Sequence, residues 1–324
     1  MPRVLLTSLN FRRAGGDHER RLVDAGCDVV LSPYPRPATE AELLPLVANV
    51  DAALAGTDAF TRRVLEAAPQ LKIVSRFGVG YDSIDLAAAD ELGIWVTTTP
   101  GANEHSVADA AIALVLALAR QLVPAVESTR AGKWDRPIGL ELRGLTLGLV
   151  GFGRIGQQVA ARARPFGMTV LVYDVVQNDA AARELGCRYV SLDELLRASD
   201  FVSLHAPAHP STRHLVDRRA LALMKPTAYL INTARGELVD EAALAEALAQ
   251  RRIAGAALDV FKQEPPHPAN PLLSLPNLIP LPHIAGVTAQ ASLNMAQLAA
   301  ENVLAALRGE RPPFPVNSPP HPRS

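Results

Sequence analysis

The chain has 324 residues, 48% hydrophobic and 20% charged, with a formal net charge of −1. That length accommodates two domains with sizeable cores, and the balanced charge without a basic run argues against nucleic acid or an anionic membrane as main partner. Cys27 and Cys187 stand far apart and outside any CxxC pattern, which fits a reducing compartment and supports neither a disulfide framework nor a zinc site; no metal is expected. Residues 3–9 read as a first strand, 17–26 as a helix ending at Gly26, and 27–31 as a second strand. Thr39, after the proline-rich SPYPRP, is positioned to cap a helix around 40–48. Strand-like runs at 52–54, 72–75 and 95–97 then alternate with helical patterns at 61–68 and 85–92.

This alternation predicts a parallel sheet, a small flavodoxin-like unit in the first hundred residues. Pro100 and Gly101 interrupt it before a long helix over roughly 106–121, apolar nearly all round. Such a helix is expected to be covered on several sides, a second subunit included. A less regular arm, 124–145, follows. Neither the N-terminus, whose apolar stretch is too short for a signal-peptide core, nor residues 110–119, about half a membrane span, suggests a membrane, so a soluble, cytoplasmic protein is expected.

The segment 146–174 is the most informative. A buried strand is predicted at 146–150, followed by Gly151, Gly153 and Gly156 in G-x-G-x-x-G, a helix through Val159, Ala160 and Ala163, and a second strand at 170–173 ending in Asp174. Gly151 permits a tight turn, Gly153 lets backbone approach a pyrophosphate, and Gly156 allows close helix–strand packing. The helix N-terminus presents free N–H groups and its positive dipole end to the phosphates. An acid at the end of the second strand can accept the adenosine ribose hydroxyls and repels a 2′-phosphate, so Asp174 predicts NAD rather than NADP. Strands at 188–190, 201–204, 228–232 and 256–258 continue the alternation, with helices at 192–197, 218–223 and 241–250. A last helix, 289–307, precedes the proline-rich tail RPPFPVNSPPHPRS, expected to be extended or disordered.

Ligands of open α/β sheets bind outside the carboxyl ends of the strands, which draws attention to three segments. In LINTARGELVDEAAL (230–244), Arg235 offers a planar fork suited to a carboxylate, or else is a surface arginine pairing with Glu237 or Asp240; Asp240 is most simply an N-cap. In AALDVFKQEPP (256–266), Asp259 closes a strand and Glu264 precedes two prolines. In LIPLPHIAG (278–286), His283 could give a proton to a carbonyl oxygen near neutral pH, with a neighbouring carboxylate favouring its protonated form. Each is weak alone; together with a cofactor loop they form a coherent set.

These segments, with SRFGVGYDSIDL (75–86), TTPGANEHSVADAA (98–111) and LHAPAHPSTRHL (204–215), resemble the D-isomer-specific 2-hydroxyacid dehydrogenases over most of residues 71–299. The family includes phosphoglycerate, glycerate, hydroxypyruvate and glyoxylate-type enzymes. The resemblance implies a Rossmann-type doubly wound parallel sheet inserted in a flavodoxin-like substrate domain. Residues 1–98 plus 286–312 would form the substrate domain and 99–285 the NAD-binding domain, with a cleft between them and 313–324 as tail. It implies His283 as acid–base, Glu264 as the partner orienting its ring, and Arg235 as the group binding the substrate carboxylate, whose other side the N–H groups of Val79 and Gly80 would hold. Arg154 and Ile155 would lie on the pyrophosphate, Asp174 on the ribose, and Pro207 beside the adenine. Thr233, Ala234 and Asp259 would sit at the nicotinamide end, with His205 and Gly286 also on the cofactor side. A homodimer through residues 106–145 is implied, and a small 2-oxo or 2-hydroxy acid as substrate.

Two positions depart from the family pattern. SVAE appears as SVAD, with Asp109, a conservative change. Phosphoglycerate-type members tend to carry a basic residue near the end of the strand at 54–56, where this chain has Ala55, Gly56, Thr57 and Asp58, with Arg62 and Arg63 as the nearest cations in sequence. The alternatives are a phosphite- or formate-type dehydrogenase on the same scaffold, with Glu264 against the formate type, and a non-catalytic NAD-sensing corepressor-like protein. A short-chain dehydrogenase is set aside, because no tyrosine has a lysine four residues on.

Overall fold

The computed structural model describes residues 1–323. They form two compact units, Met1–Asn103 with the chain from Val287 onward, and Glu104–Gly286. Residues 99–103 stay with the first unit because Thr99 and Gly78 bond reciprocally, through the Thr99 N–H to the Gly78 carbonyl and the Gly78 N–H to the Thr99 hydroxyl.

The first unit holds five parallel strands, β1 (Arg3–Leu6), β2 (Asp28–Leu31), β3 (Ala52–Ala55), β4 (Ile73–Arg76) and β5 (Trp95–Thr97), in the order β2-β1-β3-β4-β5. This is the flavodoxin-like order, and its direction reverses between β1 and β3. β3, β4 and β5 are buried along their whole length because helices cover both faces of the sheet. On one face Met295, Ala299 and Val303 of the helix Ala289–Leu307 pack with Val4, Leu54 and Ile73. On the other, Leu43, Val64, Leu65 and Ala88 pack with Leu5, Ala53 and Val74. The strand predicted over 3–9 stops at Leu6, since the Thr7 and Ser8 N–H groups both turn to the Leu54 carbonyl (3.0 and 3.3 Å). A short helix, Leu9–Arg13, not expected from the sequence, follows.

The proline-rich tail is extended and runs antiparallel along β5, pairing Thr97 with Pro315. The Val316 N–H donates to the Val96 carbonyl and the Asn317 side chain accepts from the Val96 N–H. Arg323 donates to the carbonyls of Ala68 and Leu71.

The second unit holds seven parallel strands, β6 (Thr146–Val150), β7 (Thr169–Tyr173), β8 (Arg188–Tyr189), β9 (Phe201–Leu204), β10 (Tyr229–Asn232), β11 (Gly255–Leu258) and β12 (Leu278–Pro280). Their order, β12-β11-β10-β9-β6-β7-β8, is the doubly wound pattern with one extra strand, and its direction reverses between β6 and β9. Core clusters on the two faces of this sheet are built around Val159, Ala160 and Leu149 on one side and Leu196, Leu221 and Leu244 on the other.

Two expectations are corrected here. The helix predicted over 106–121 spans Glu104–Ala119 and packs within its own unit against the helix Arg154–Ala163 and strands β10 and β11. Its near-uniform apolarity is in large part that of an inner helix in a three-layer unit. The arm expected to be irregular begins with a helix, Leu122–Arg130, entered through Gln121 in the left-handed region (φ 52°). Five exposed large apolar side chains lie in or beside this arm, Leu122, Val126, Trp134, Ile138 and Leu140, with Ile138 96% exposed. Among the described residues no single helix is long and apolar enough to cross a membrane.

Candidate active site

The glycine loop follows β6, at the strand-order reversal of the larger sheet. Gly151 has φ +98°, and a Cβ there would lie 2.6 Å from the His205 backbone, so only glycine fits. A Cβ on Gly156 would collide with the Gly151 carbonyl oxygen, so its absence lets the helix close onto the turn. Gly153 faces open space and precedes the helix Arg154–Ala163, where unpaired N–H groups can meet phosphate oxygens. Asp174, after β7, accepts the Phe152 N–H at 2.6 Å on one oxygen and the Val176 N–H at 3.0 Å on the other. It therefore ties the glycine loop to the end of β7, and each carboxylate oxygen retains a lone pair for a ribose hydroxyl.

Two buried polar atoms at the carboxyl ends of the next two strands of the sheet have no hydrogen-bond partner, His205 Nδ1 after β9 and Thr233 Oγ1 after β10. Buried polar groups are ordinarily satisfied, so these orphans, the open face of Gly153 and the free helix N-terminus together fit a bound dinucleotide. The other His205 nitrogen, Nε2, lies 2.9 Å from Ser203 Oγ, and burial pulls its pKa down to about 4, so the ring is neutral at physiological pH. Arg154, Pro207 and Gly153 are exposed at this rim, and Ile155, Ala234 and Gly286 are partly so.

The second part of the site is built on the loops after β10, β11 and β12. Asn232 is fully buried, and its amide accepts the Ala234 N–H (3.0 Å) and donates to the Arg235 carbonyl (2.8 Å), fixing the turn that carries Arg235. A Cβ on Gly236 would overlap the Phe261 backbone, so the Arg235 loop rests directly on the chain leading to Glu264. Asp259, 1% exposed, uses its two carboxylate oxygens to accept the N–H groups of Ile284 and Ala285, both at 2.8 Å, and its carbonyl accepts that of His283 at 2.9 Å. These three bonds hold His283 in the left-handed conformation, φ 54°.

His283 Nδ1 lies 2.6 Å from Glu264 Oε2, their side chains 36% and 31% exposed. Burial of the Glu264 carboxyl pushes its pKa up, but the His283 hydrogen bond and charge, the Phe261 N–H and the Arg235 charge outweigh it and leave the net shift downward. An ionised Glu264 accepts from Nδ1–H and leaves Nε2 as the imidazole atom for proton transfer. The structure thus gathers Arg235, Glu264 and His283 on neighbouring loops of one unit. Val79 and Gly80 belong to the other unit, in the turn after β4. Sequence reasoning missed Asn232, whose signal is a polar residue closing an otherwise apolar strand, and the part Asp259 plays in shaping the His283 loop.

The arrangement defines a dinucleotide-dependent oxidoreductase with a histidine–carboxylate pair and an arginine. Residues 112–285 match the family model for the NAD-binding domain of D-isomer specific 2-hydroxyacid dehydrogenases. A glyoxylate reductase of Korarchaeum cryptofilum is 47% identical over 267 residues, 81% of this chain and 80% of that one. A D-3-phosphoglycerate dehydrogenase of Methanocaldococcus jannaschii is 44% identical over 87% of this chain and 54% of its own length. The crystal structure of the TT0316 protein of Thermus thermophilus superposes with a TM-score of 0.87 at 41% identity, covering 97% of this chain and 99% of that one. The chain belongs to the D-isomer specific 2-hydroxyacid dehydrogenase family and is an NAD-dependent oxidoreductase acting on hydroxy acids.

Proposed function

We propose that the protein interconverts a short 2-oxo acid such as glyoxylate or hydroxypyruvate and the corresponding 2-hydroxy acid, of D configuration where C2 is chiral, with NADH preferred over NADPH. When bound, NAD(H) supplies the hydride acceptor and donor chemistry at the substrate's C2 carbon. Arg235 grips the substrate carboxylate with its planar fork. In the reducing direction protonated His283 gives its Nε2 proton to the carbonyl oxygen as negative charge develops there, and Arg235 stabilises that charge. Glu264 holds the ring in place through Nδ1 and stabilises its cationic form. In the oxidising direction neutral His283 takes the hydroxyl proton.

The observation that carries this reading is the 2.6 Å His283–Glu264 pair, held on loops at the carboxyl ends of the strands of the same sheet that presents the glycine turn. A glutamate in this position also counts against the formate-type alternative. The test is a panel of glyoxylate, hydroxypyruvate and pyruvate assayed with NADH and NADPH. His283→Ala should lower kcat by about 10²–10⁴, the usual worth of a positioned general acid. Near-wild-type turnover in that variant would remove His283 from the mechanism, and absence of NADH oxidation with every 2-oxo acid would favour the corepressor-like alternative. We further propose a cytoplasmic homodimer through residues 106–145, because the exposed Leu122, Trp134 and Ile138 form the kind of apolar surface that marks an interface. Light scattering on the wild type and on Ile138→Glu decides it.

A further inference from the structure

The chain that carries Glu264 leaves β11 at Leu258 and enters no regular element again until the short 3₁₀ turn Pro271–Ser274. Its two ends are sunk in the core, Phe261 at 6% exposed and Leu272 fully buried, while Lys262, Gln263, Glu264 and Pro265 between them are exposed. Among the described residues, none of 262–266 takes part in a backbone–backbone hydrogen bond. A loop with so few ties has low local stability and holds a side chain in place only as well as its anchors do.

Glu241 supplies the anchor. One oxygen of its carboxylate, Oε1, accepts the Lys262 N–H at 2.7 Å, and the other, Oε2, accepts an Asn270 side-chain N–H at 2.9 Å. Both bonds are charge-assisted, the stronger kind. A single charged group thus closes the loop at its neck, with Glu264 just inside. The position of that carboxylate is itself fixed. Glu241 opens the helix Glu241–Ala249, whose start is capped by Asp240 accepting the Ala242 and Ala243 N–H groups, both at 3.1 Å. The turn just before, at Gly236, lies against the Phe261–Lys262 backbone. Glu241 therefore joins the segment that carries Arg235 to the segment that carries Glu264, all within one unit. Its two bonds go to the loop and not to the imidazole, so its influence on His283 passes through Glu264.

We propose that Glu241 is a positioning residue of the reaction: by tying Lys262 to Asn270 it holds the Glu264 carboxylate at the His283 imidazole. The effect on rate rests on the dehydrogenase reading above, whereas the effect on the imidazole is read without turnover. Which nitrogen of a neutral histidine keeps its proton is set by the hydrogen bond the ring makes, so an anchored Glu264 keeps it on Nδ1. Long-range proton–nitrogen NMR spectra of the full chain in alkaline buffer read the two forms, with the His283 signals assigned by their loss in His283→Asn. In Glu241→Ala the ratio moves by about tenfold toward the Nε2–H form, the scale of one hydrogen bond to a partly exposed ionised group, and kcat for glyoxylate with NADH falls by about the same factor. The second readout is a cycle with Glu264→Ala. If the two glutamates act in series, the double variant is no slower than Glu264→Ala alone, whereas a general loss of folded enzyme multiplies the two defects. If Glu241→Ala does not fold, Asn270→Ser, which keeps an acceptor for the Leu272 N–H and removes the amide that reaches Glu241, is read in the same two ways.

A tautomer ratio equal to that of the wild type, or a double variant slower than Glu264→Ala by the full factor that Glu241→Ala costs the wild type, overturns the proposal. Absence of NADH oxidation with every 2-oxo acid overturns the dehydrogenase reading instead, and the tautomer ratio still decides whether Glu241 places Glu264.

Discussion

Replacing Glu264 with glutamine leaves an oxygen able to accept the His283 Nδ1–H but removes the charge that lies 2.6 Å from it. A hydrogen bond to a charged group contributes about 1.5–3 kcal/mol against about 0.5–1.5 kcal/mol for a neutral one. With 36% and 31% of the two side chains exposed, solvent screening places the difference toward the low end. The loss is about 1 kcal/mol, roughly fivefold in stabilisation of the transition state. The expected result is a fall of about fivefold in kcat/KM for glyoxylate reduction across the pH range assayed. Initial rates of NADH oxidation from about pH 5.5 to about pH 9 measure it directly. Superposable wild-type and Glu264→Gln profiles would refute the argument, since an orienting contact that the amide preserves would then be all that Glu264 provides.

Arg235→Lys should raise KM for glyoxylate by about tenfold or more, because an ammonium cannot reproduce the two parallel bonds of the guanidinium; an unaltered KM would assign the carboxylate to another group. Asp174→Ser should erode the preference for NADH, read as the ratio of kcat/KM with NADH to that with NADPH, and weaken both cofactors through loss of the Phe152 tie; an unchanged ratio counts against the ribose assignment. His205, with its pKa lowered from 6.5 to about 4, stays neutral in the fold while the unfolded chain takes up a proton. Its contribution to stability is therefore complete above about pH 6.5 and is lost as pH falls toward 4, to about 2 kcal/mol once partial exposure of the ring is allowed for. Thermal melts at neutral and acid pH should show a shallower acid loss in His205→Asn, and equal slopes would refute the linkage.

The parts of the fold governed by local rules were legible in the sequence. Alternation of short apolar runs with helical patterns predicted both parallel sheets, and G-x-G-x-x-G between a strand and a helix predicted the turn that only Gly151 and Gly156 can make. Arg235, Glu264 and His283 are separated by up to 48 residues, and only the register of β10, β11 and β12 brings their loops together. The helix Glu104–Ala119 misled because periodicity reports how much of a helix is covered, not what covers it. Leu122–Arg130 escaped notice because its burial pattern is weak: none of its residues is buried. The uses of Asn232 and Asp259 were half hidden for a different reason. A polar residue closing an apolar strand marks each, but each satisfies backbone groups in a loop whose path is set by tertiary contacts, so the residue type does not say which groups it serves.

The tail along β5 has a bearing on how the protein behaves at high concentration. An edge strand is a template for pairing with another chain, and β5 is the outermost strand on its side of the smaller sheet. The segment that shields it carries Pro312, Pro313, Pro315, Pro319 and Pro320, residues with no N–H to donate, so its outer side cannot serve as a fresh ladder for a neighbour. The sheet is thereby finished by a strip that accepts pairing on its inner side and refuses to propagate it, a safeguard against fibril-like stacking written into residues 312–320.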